Sequence, residues 1–598
     1  MASIDELFKK PNATNGKRKL DDPSATDPAQ LYKSAKLSPN GDAKSGKRAT
    51  VEPGAEEDGF GAEPPPDGDD GEDGDYGVAV PVDDNGDDEE GRFFGGGVDR
   101  DAADALDYLD SADGDQPFVP ENVDVAWLRK STLNFEKRIS RNSELRGKFG
   151  DRPEKFMASE ADLDAEIKSL SILSEHTDLY AKFAALGCAA SLVGLLAHEN
   201  TDIAIDAIEI IAELTDEDVE AEQDQWDALV NAMLDADLLS LLTSNFDRFD
   251  ENQSEADRSG VYHSFHVFEN LSSSSEIAST IATETSLLPF LLKRVQQPVA
   301  SSSVLAQNTQ YAAELLSILL SCTPVAATAF TKLSAEETPS LDILLQLLAP
   351  YRNRDPQPNT DESEYVENLF SCLAVLLRYP DGKRVFLEAE GVELALLMAR
   401  AKHAPKVSRP RALQLLDHAC GGPGENSAQI CDRLVEAAGL KTLFGLFMRS
   451  KVDAHMTEHL LGILAALFRN LPGDSPGRIR VLAKFVEADY EKIKRLIELR
   501  KHYLSRLESS DVEFEAEYCL QMTDTILAWL AAEDGGARRW ISDVLSRDGR
   551  NELEEIRKTL EAQLENMKAV IVEAEGTSDD DLDARSTMEM LGALISCL

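Results

Sequence analysis

The amino-acid sequence predicts an all-α protein whose helices stack into a solenoid. From about Val123 to the C-terminus, apolar residues recur with helical spacing, and strand-like alternation is nearly absent. Residues 179–218 contain three helical segments in succession, and long apolar helices resembling the third recur at intervals of roughly 45–55 residues. Such units cannot bury their apolar faces alone, so neighbours must stack and both ends need closing elements.

The first complete unit consists of the segments LYAKFAAL, SLVGLLAH and DIAIDAIEIIAEL, which begin at residues 179, 191 and 202. A Gly-Cys break separates the first two, and Asn200-Thr201-Asp202 supplies the capping signals of the third. This order is typical of an armadillo-type repeat, in which the third helices line the concave surface. We therefore expect an armadillo-like or HEAT-like helical solenoid.

Five later segments have the same character as the third helix of this unit. They are DRSGVYHSFHVFENLSS at 257–273, NTQYAAELLSILLS at 308–321, SEYVENLFSCLAVLLRY at 363–379, RPRALQLLDHACGG at 409–422 and MTEHLLGILAALFRNL at 456–471. Acidic or Pro-rich loops such as NRDPQPNTDE lengthen the repeat beyond the usual ~40–47 residues.

Composition divides the chain into four parts. We predict a disordered tail over 1–120, a helical N-terminal cap over 121–176, armadillo-type repeats over 177–488 and a helical, coiled-coil-like region over 489–598. The last region contains a 3–4-spaced apolar row that suits either self-pairing or docking on the solenoid. The row consists of Leu553, Ile556, Leu560, Leu564 and Met567.

Charge is distributed very unevenly along the chain, whose formal net charge is −50 at pH 7. Residues 1–50 contain ten Lys/Arg and six Asp/Glu, whereas residues 51–120 contain 24 Asp/Glu and two Arg. The remainder is therefore acidic as well. This balance disfavours direct binding to nucleic acid, which needs clustered Lys and Arg, and favours basic protein segments as partners.

The cysteines and the apolar runs indicate a soluble intracellular protein. The seven cysteines form no CxxC pair and lie mostly in apolar helical segments, as expected for reduced core residues. We find no apolar run long enough for a membrane span, and the N-terminal MASIDELFKK lacks the features of a signal peptide.

Basic residues near the N-terminus have the spacing of a bipartite nuclear import signal. The two parts are Lys17-Arg18-Lys19 and, after a spacer, Lys33 and Lys36. This pattern predicts a nuclear protein.

An acidic stripe is the main candidate binding site. On a helical wheel the carboxylates of the helix beginning at Asp202 fall within about 80° of one another, while the remaining arc is apolar. No Lys or Arg lies nearby in sequence to neutralise them. The stripe is therefore a binding surface for basic peptides, a solvated face, or a face neutralised by Lys or Arg from the tail or an adjacent repeat. Its members are Asp202, Asp206, Glu209, Glu213 and Asp216.

Three asparagines on predicted third helices are further candidates for binding the backbone of an extended peptide. They are Asn270, Asn368 and Asn470. Helix-end capping is an equally good interpretation of Asn270 and Asn470, because both lie near helix ends.

Histidines offer the only pattern that resembles a catalytic metal site. His455-Met-Thr-Glu458-His459 matches the HxxEH arrangement, but a third ligand is missing, and we interpret it as a solvated helix start. His263 and His266 are interpreted as packed or groove-lining residues. We expect no catalytic residues, no metal and no cofactor.

Several segments resemble a specific family. LNFEKRISRNSELRGKFGDRPEKFMASEADLD at 133–164, ALQLLDHACGGPGENSAQICDRLVEAAGLKTLFGLFMRS at 412–450 and FVEADYEKIKRLIELRKHYL at 485–504 resemble the beta-catenin-like protein 1 family of spliceosome-associated armadillo proteins. The resemblance covers roughly 130–505. The chain is shorter between Leu507 and Glu513, where other members of that family carry a longer charged insertion.

The resemblance implies a non-enzymatic nuclear scaffold in the nineteen-complex environment of the spliceosome. Such a scaffold binds basic import-type segments of splicing factors, including a Myb-like core component and, in vertebrates, activation-induced deaminase. Homodimerisation is compatible with it, whereas direct nucleic-acid and membrane partners are not expected.

An importin-like nuclear transport adaptor is the alternative function, since it would use the same groove. Adaptors of that class need regular Trp/Asn pairs along the third helices. The four tryptophans, Trp127, Trp226, Trp529 and Trp540, lie on none of the predicted third helices, which favours the scaffold.

Overall fold

The computed structural model describes residues 123–297, 306–400, 407–449, 453–509, 514–546, 552–573 and 579–598. These ranges, referred to below as the described residues, contain 25 α-helices and one two-stranded hairpin. The predicted tail and its import signal lie outside them.

Two helices precede the first repeat. Helix α1 (Val125–Phe149) begins where the Asp124 carboxylate accepts hydrogen bonds from the backbone N–H groups of Ala126 and Trp127, at 2.8 and 2.9 Å. It packs against α2 (Met157–Ser169), which continues as a 3₁₀ helix over Leu170–Glu175. A short 3₁₀ helix, Pro153–Lys155, joins the two.

The first repeat has the three helices that its sequence predicts. They are α3 (Tyr180–Ala185), α4 (Cys188–Gly194, extended by a 3₁₀ turn at Leu195–Ala197) and α5 (Thr201–Leu214). Gly187 turns the chain between α3 and α4 with φ of 82°, a conformation that glycine adopts without strain.

The following repeats continue this pattern through α20. Their helices are α6 (Gln223–Asp235), α7 (Leu238–Asn245), α8 (Glu255–Leu271), α9 (Ser275–Glu284), α10 (Leu287–Val295), α11 (Gln307–Cys322), α12 (Pro324–Thr331), α13 (Ser340–Leu348), α14 (Asp361–Leu376), α15 (Pro380–Glu388), α16 (Gly391–Arg400), α17 (Ser408–Cys420), α18 (Glu425–Glu436), α19 (Gly439–Phe447) and α20 (Ala454–Asn470).

The third helices pack side by side in the order α5, α8, α11, α14, α17, α20, and α2 packs against α5 at the start of this series. Helices α8, α11, α14, α17 and α20 match the five predicted segments to within three residues at each end. Gly462 allows close packing within this series, because a Cβ there would collide with the Asp417 carboxylate of α17. The predicted helical solenoid is confirmed.

A small hairpin interrupts the helices after α12, and the sequence analysis missed it. Strand β1 (Ser334–Ala335) pairs antiparallel with β2 (Thr338–Pro339), so that Ser334 lies opposite Pro339. The turn residues Glu336 and Glu337 both have positive φ, as a tight two-residue hairpin requires. Neither has the side chain that normally signals such a turn.

The C-terminal helices close the array. Helix α21 (Pro476–Ser509) is interrupted at Glu487–Tyr490, and it is followed by α22 (Phe514–Glu533), α23 (Gly535–Ser546), α24 (Glu552–Glu573) and α25 (Asp579–Cys597). Helix α22 packs against α20, and α24 packs against α22 and α25. The Ile556 and Leu560 side chains of α24 are fully buried there, so the apolar row of this helix docks within its own chain.

A buried ion pair and an arginine that lies over two aromatic rings join these elements. Arg500 of α21 donates to the Asp524 carboxylate of α22 at 2.7 and 3.3 Å, and both side chains are almost completely buried. Burial raises the pKa of Asp524, and Arg500 opposes this shift. Arg478 lies over the rings of Phe468 and Trp529, linking α20, α21 and α22.

Candidate functional site

The acidic stripe on α5 is produced by the burial of the other residues of this helix. The Asn200 side chain caps α5 by accepting from the Asp202 backbone N–H at 3.1 Å. Nine apolar residues of α5, from Ile203 to Leu214, are buried between neighbouring helices. The carboxylates are therefore the side chains that remain at the surface, and Asp202, Glu209 and Glu213 are exposed.

Asp206 is the most buried carboxylate of the stripe, and it shares a site with Asp164 and Lys168 of α2. Lys168 Nζ lies 3.3 Å from Asp206 Oδ1 and also contacts Asp164. Burial, followed by the hydrogen bond with Asp164, raises the pKa of Asp206 to about 7. The same hydrogen bond lowers the pKa of Asp164, whereas Lys168 opposes the rise in the pKa of Asp206.

The basic partner of Asp206 is not near it in sequence but comes from a neighbouring helix, which is one of the alternatives that the sequence leaves open. Lys168 precedes Asp206 by 38 residues and meets it because α2 packs against α5. Periodicity within α5 cannot show a partner on another helix.

Two histidines of α8 face the other end of the stripe. His266 Nε2 lies 3.0 Å from Asp216 Oδ2, and His263 Nε2 lies 4.0 Å from Glu209 Oε1. Burial lowers the pKa of His263. These histidines line the surface, in agreement with one of the two roles expected for them.

Glu213 accepts a hydrogen bond from an uncharged residue of the 3₁₀ helix that continues α2. Ser174 Oγ donates to Glu213 Oε1 at 3.1 Å. Partial burial raises the pKa of Glu213, and the charges of Glu209, Glu175 and Asp216 add to this effect. Asp202 makes no ion pair within the described residues.

The three candidate asparagines differ in their contacts. Asn270 Nδ2 donates to Ala212 O and Thr215 Oγ1 at 3.1 and 3.3 Å, and Asn470 Nδ2 donates to Cys420 O and Gly422 O at 2.8 and 3.0 Å. Both therefore cap the end of the preceding third helix, the alternative that the sequence left open. Asn368 is half-buried and makes no side-chain hydrogen bond to any described residue.

The acidic surface extends beyond α5 onto residues that the sequence analysis missed. Glu269 of α8 accepts from Tyr311 Oη at 2.5 Å, and Gln310 of α11 donates to Glu314 and Glu364 at 3.0 and 3.3 Å. Glu367 of α14 pairs with Arg411 of α17 at 3.3 Å. Each of these glutamates occupies a polar position on its third helix. A helical wheel drawn for that helix, as was done for α5, would therefore have identified it. Together with the stripe, Glu269, Glu314, Glu364 and Glu367 form what is called the acidic surface below.

The two histidines of the HxxEH pattern do not converge. His459 Nδ1 lies 3.0 Å from Asp417 Oδ2, whereas His455 lies beside Glu458 and Glu515. A metal site that uses both histidines is therefore not assembled.

Comparison with known proteins assigns the chain to a protein family. A family model described as "Catenin-beta-like, Arm-motif containing nuclear" matches residues 103–518. The chain belongs to this family. The Beta-catenin-like protein 1 homolog of Schizosaccharomyces pombe is 36% identical over 83% of the chain and 88% of its own length. Beta-catenin-like protein 1 of Rattus norvegicus is 37% identical over 66% of the chain and 69% of its own length.

A solved structure concerned with the interaction between cadherin and beta-catenin aligns with 79% of the chain and 94% of its own length, with a TM-score of 0.47 and 12% identity.

Within the described residues, no single helix has both the length and the apolar composition to cross a membrane. Two bent helix pairs pass the same test together, Thr177–Ala185 with Cys188–Ala197 and Gln307–Cys322 with Pro324–Thr331.

Proposed function

We propose that this protein is a non-enzymatic nuclear scaffold of the splicing machinery that binds basic import-type segments of splicing factors. Membership of an armadillo family described as nuclear supports the general class. The observation that carries the binding proposal is the acidic surface, whose carboxylates on α5, α8, α11 and α14 take part in side-chain contacts between each helix and the next.

The spacing of the third helices suits an extended peptide. Packed helices lie about 8–10 Å apart, and an extended chain rises about 3.3 Å per residue. A peptide crossing the helices therefore passes one helix for about every three residues. Lys or Arg at that interval would meet carboxylates of α5, α8, α11 and α14 in turn and form charge-assisted hydrogen bonds.

Asn368 supports the same surface. Its half-buried amide lies on α14 among the acidic helices and has no hydrogen-bond partner among the described residues. We therefore propose that the Asn368 amide binds the backbone of such a peptide. The amides of Asn270 and Asn470 are unavailable for this role, because each already donates a hydrogen bond within the chain.

Affinity purification from nuclear extract followed by mass spectrometry tests the scaffold. The wild type should recover splicing factors, including a Myb-like core component of the nineteen complex, and Glu209→Gln with Glu213→Gln should reduce that recovery. Recovery of importin-beta and nuclear pore proteins instead would support the transport adaptor.

Nuclear residence through the basic cluster forms part of the proposal. Replacing Lys17, Arg18, Lys19, Lys33 and Lys36 with Ala should move a fluorescent fusion towards the cytoplasm, because the import receptor would lose its charged contacts. An unchanged distribution would show that another segment or a partner drives import.

A further inference from the structure

Three potential metal ligands meet where the last third helix, α20, packs against α22. His455 and Glu458 lie one turn apart near the start of α20, and Glu515 is the second residue of α22. One ligand atom from each residue lies within 4.8 Å of the other two. Two helices that are distant in sequence thus contribute one imidazole and two carboxylates to a single point.

Hydrogen bonds among the described residues do not account for this cluster. His455 Nδ1 lies 3.9 Å from Glu458 Oε2, which is too long for a hydrogen bond. Glu515 Oε1 is buried from solvent and accepts no hydrogen bond from any described residue. Leaving a buried carboxylate oxygen without a partner is costly, and a bound ion is one of the few ways to satisfy it.

The arrangement differs from the one that the sequence motif suggests. His459 is directed to Asp417 at 3.0 Å and is not part of the cluster. The missing third ligand is supplied by Glu515, which lies on a different helix and in no motif with His455. Sequence spacing therefore could not reveal this set of ligands.

We propose that His455, Glu458 and Glu515 bind a zinc ion that clips α22 onto the end of the third-helix series. Zinc accepts imidazole nitrogen and carboxylate oxygen at about 2.0–2.2 Å in tetrahedral geometry, which places ligand atoms roughly 3.3 Å apart. His455 is 69% exposed, so an ion can reach the cluster from solvent, and water would supply the fourth ligand.

Zinc titration of the full-length chain, stripped of metal with a chelator, tests this site. Calorimetry should show one more high-affinity zinc equivalent in the wild type than in His455→Ala or Glu515→Gln, with at least ~10-fold weaker binding in each variant. Zinc should also raise the melting temperature of the wild type and of neither variant. Circular dichroism before zinc addition establishes that the variants are folded.

His502→Ala is the matched control, because His502 is an exposed histidine of α21 outside the cluster. It should bind zinc like the wild type. Equal stoichiometry and equal melting shifts in all four proteins would mean adventitious binding and overturn the proposal, as would the absence of zinc binding. A site that takes Mg²⁺ in preference to Zn²⁺ would overturn the choice of metal.

Discussion

Replacing Asp206 with Asn should change the free energy of unfolding more favourably at pH 8 than at pH 5, each measured relative to the wild type at the same pH. The pKa of Asp206 is about 7 in the folded protein and ordinarily 3.8. Between these values the folded state keeps a proton that the unfolded chain has lost, so the stability associated with this proton is complete below pH ~4 and is lost as the pH rises through about 7. Asn remains neutral, and its amide can still donate to Asp164.

The size of the effect follows from the pKa difference and the surroundings of the group. Only the interval between pH 5 and the folded-state pKa of about 7 contributes to this comparison, which corresponds to at most about 3 kcal/mol. Because the pKa of Asp164 moves in the opposite direction and solvent screens the pair, we expect about 1–2 kcal/mol of relative stabilisation at pH 8.

Urea unfolding of the wild type and of Asp206→Asn at pH 5 and pH 8, followed by circular dichroism, measures this difference. Asp202→Asn is the control, since Asp202 is exposed on the same helix, and it should show no comparable pH dependence. The reasoning is refuted if the effect of Asp206→Asn is the same at both pH values or is more destabilising at pH 8.

Two further predictions concern the C-terminal helices, and urea unfolding checks both. Asp524→Ala should lower the free energy of unfolding by about 3–5 kcal/mol, because it leaves the Arg500 charge buried without its partner. The double variant D524L with R500M should lose much less. Equal losses in the two variants would contradict this prediction. Ala488→Gly should stabilise the protein by about 0.4–1 kcal/mol, because Ala488 has φ of 56° in the interruption of α21. A loss of stability would contradict the assigned conformation.

The sequence predicts the third helices well because each buries most of its circumference. In α5 and α14, burial on several sides produces a nearly continuous apolar pattern that only a packed helix satisfies. The hairpin escapes prediction because Glu336 and Glu337 adopt positive φ although neither is a Gly, Asn or Asp, the residues that usually indicate such a turn.

The site could be predicted only in part. Four carboxylates of the stripe lie on α5, so helical geometry alone places them together. The prediction that Asp216 lies on the same helix is wrong, because α5 ends at Leu214. Lys168 beside Asp206 and Glu515 beside His455 depend on which helices become neighbours. Likewise, whether Asn270 is available to a ligand depends on a hydrogen bond to a residue 58 positions away.

Titration of a Lys/Arg-rich import-type peptide against the wild type and the double variant Glu209→Gln, Glu213→Gln tests the acidic surface most directly. The matched control is Glu276→Gln with Glu284→Gln, which removes the same charge from exposed positions on α9. The account predicts that the first double variant loses about 1–3 kcal/mol of binding free energy at low salt and has a weaker salt dependence, while the control binds like the wild type. Equal affinities for all three proteins would contradict the assignment of α5 to the peptide-binding surface.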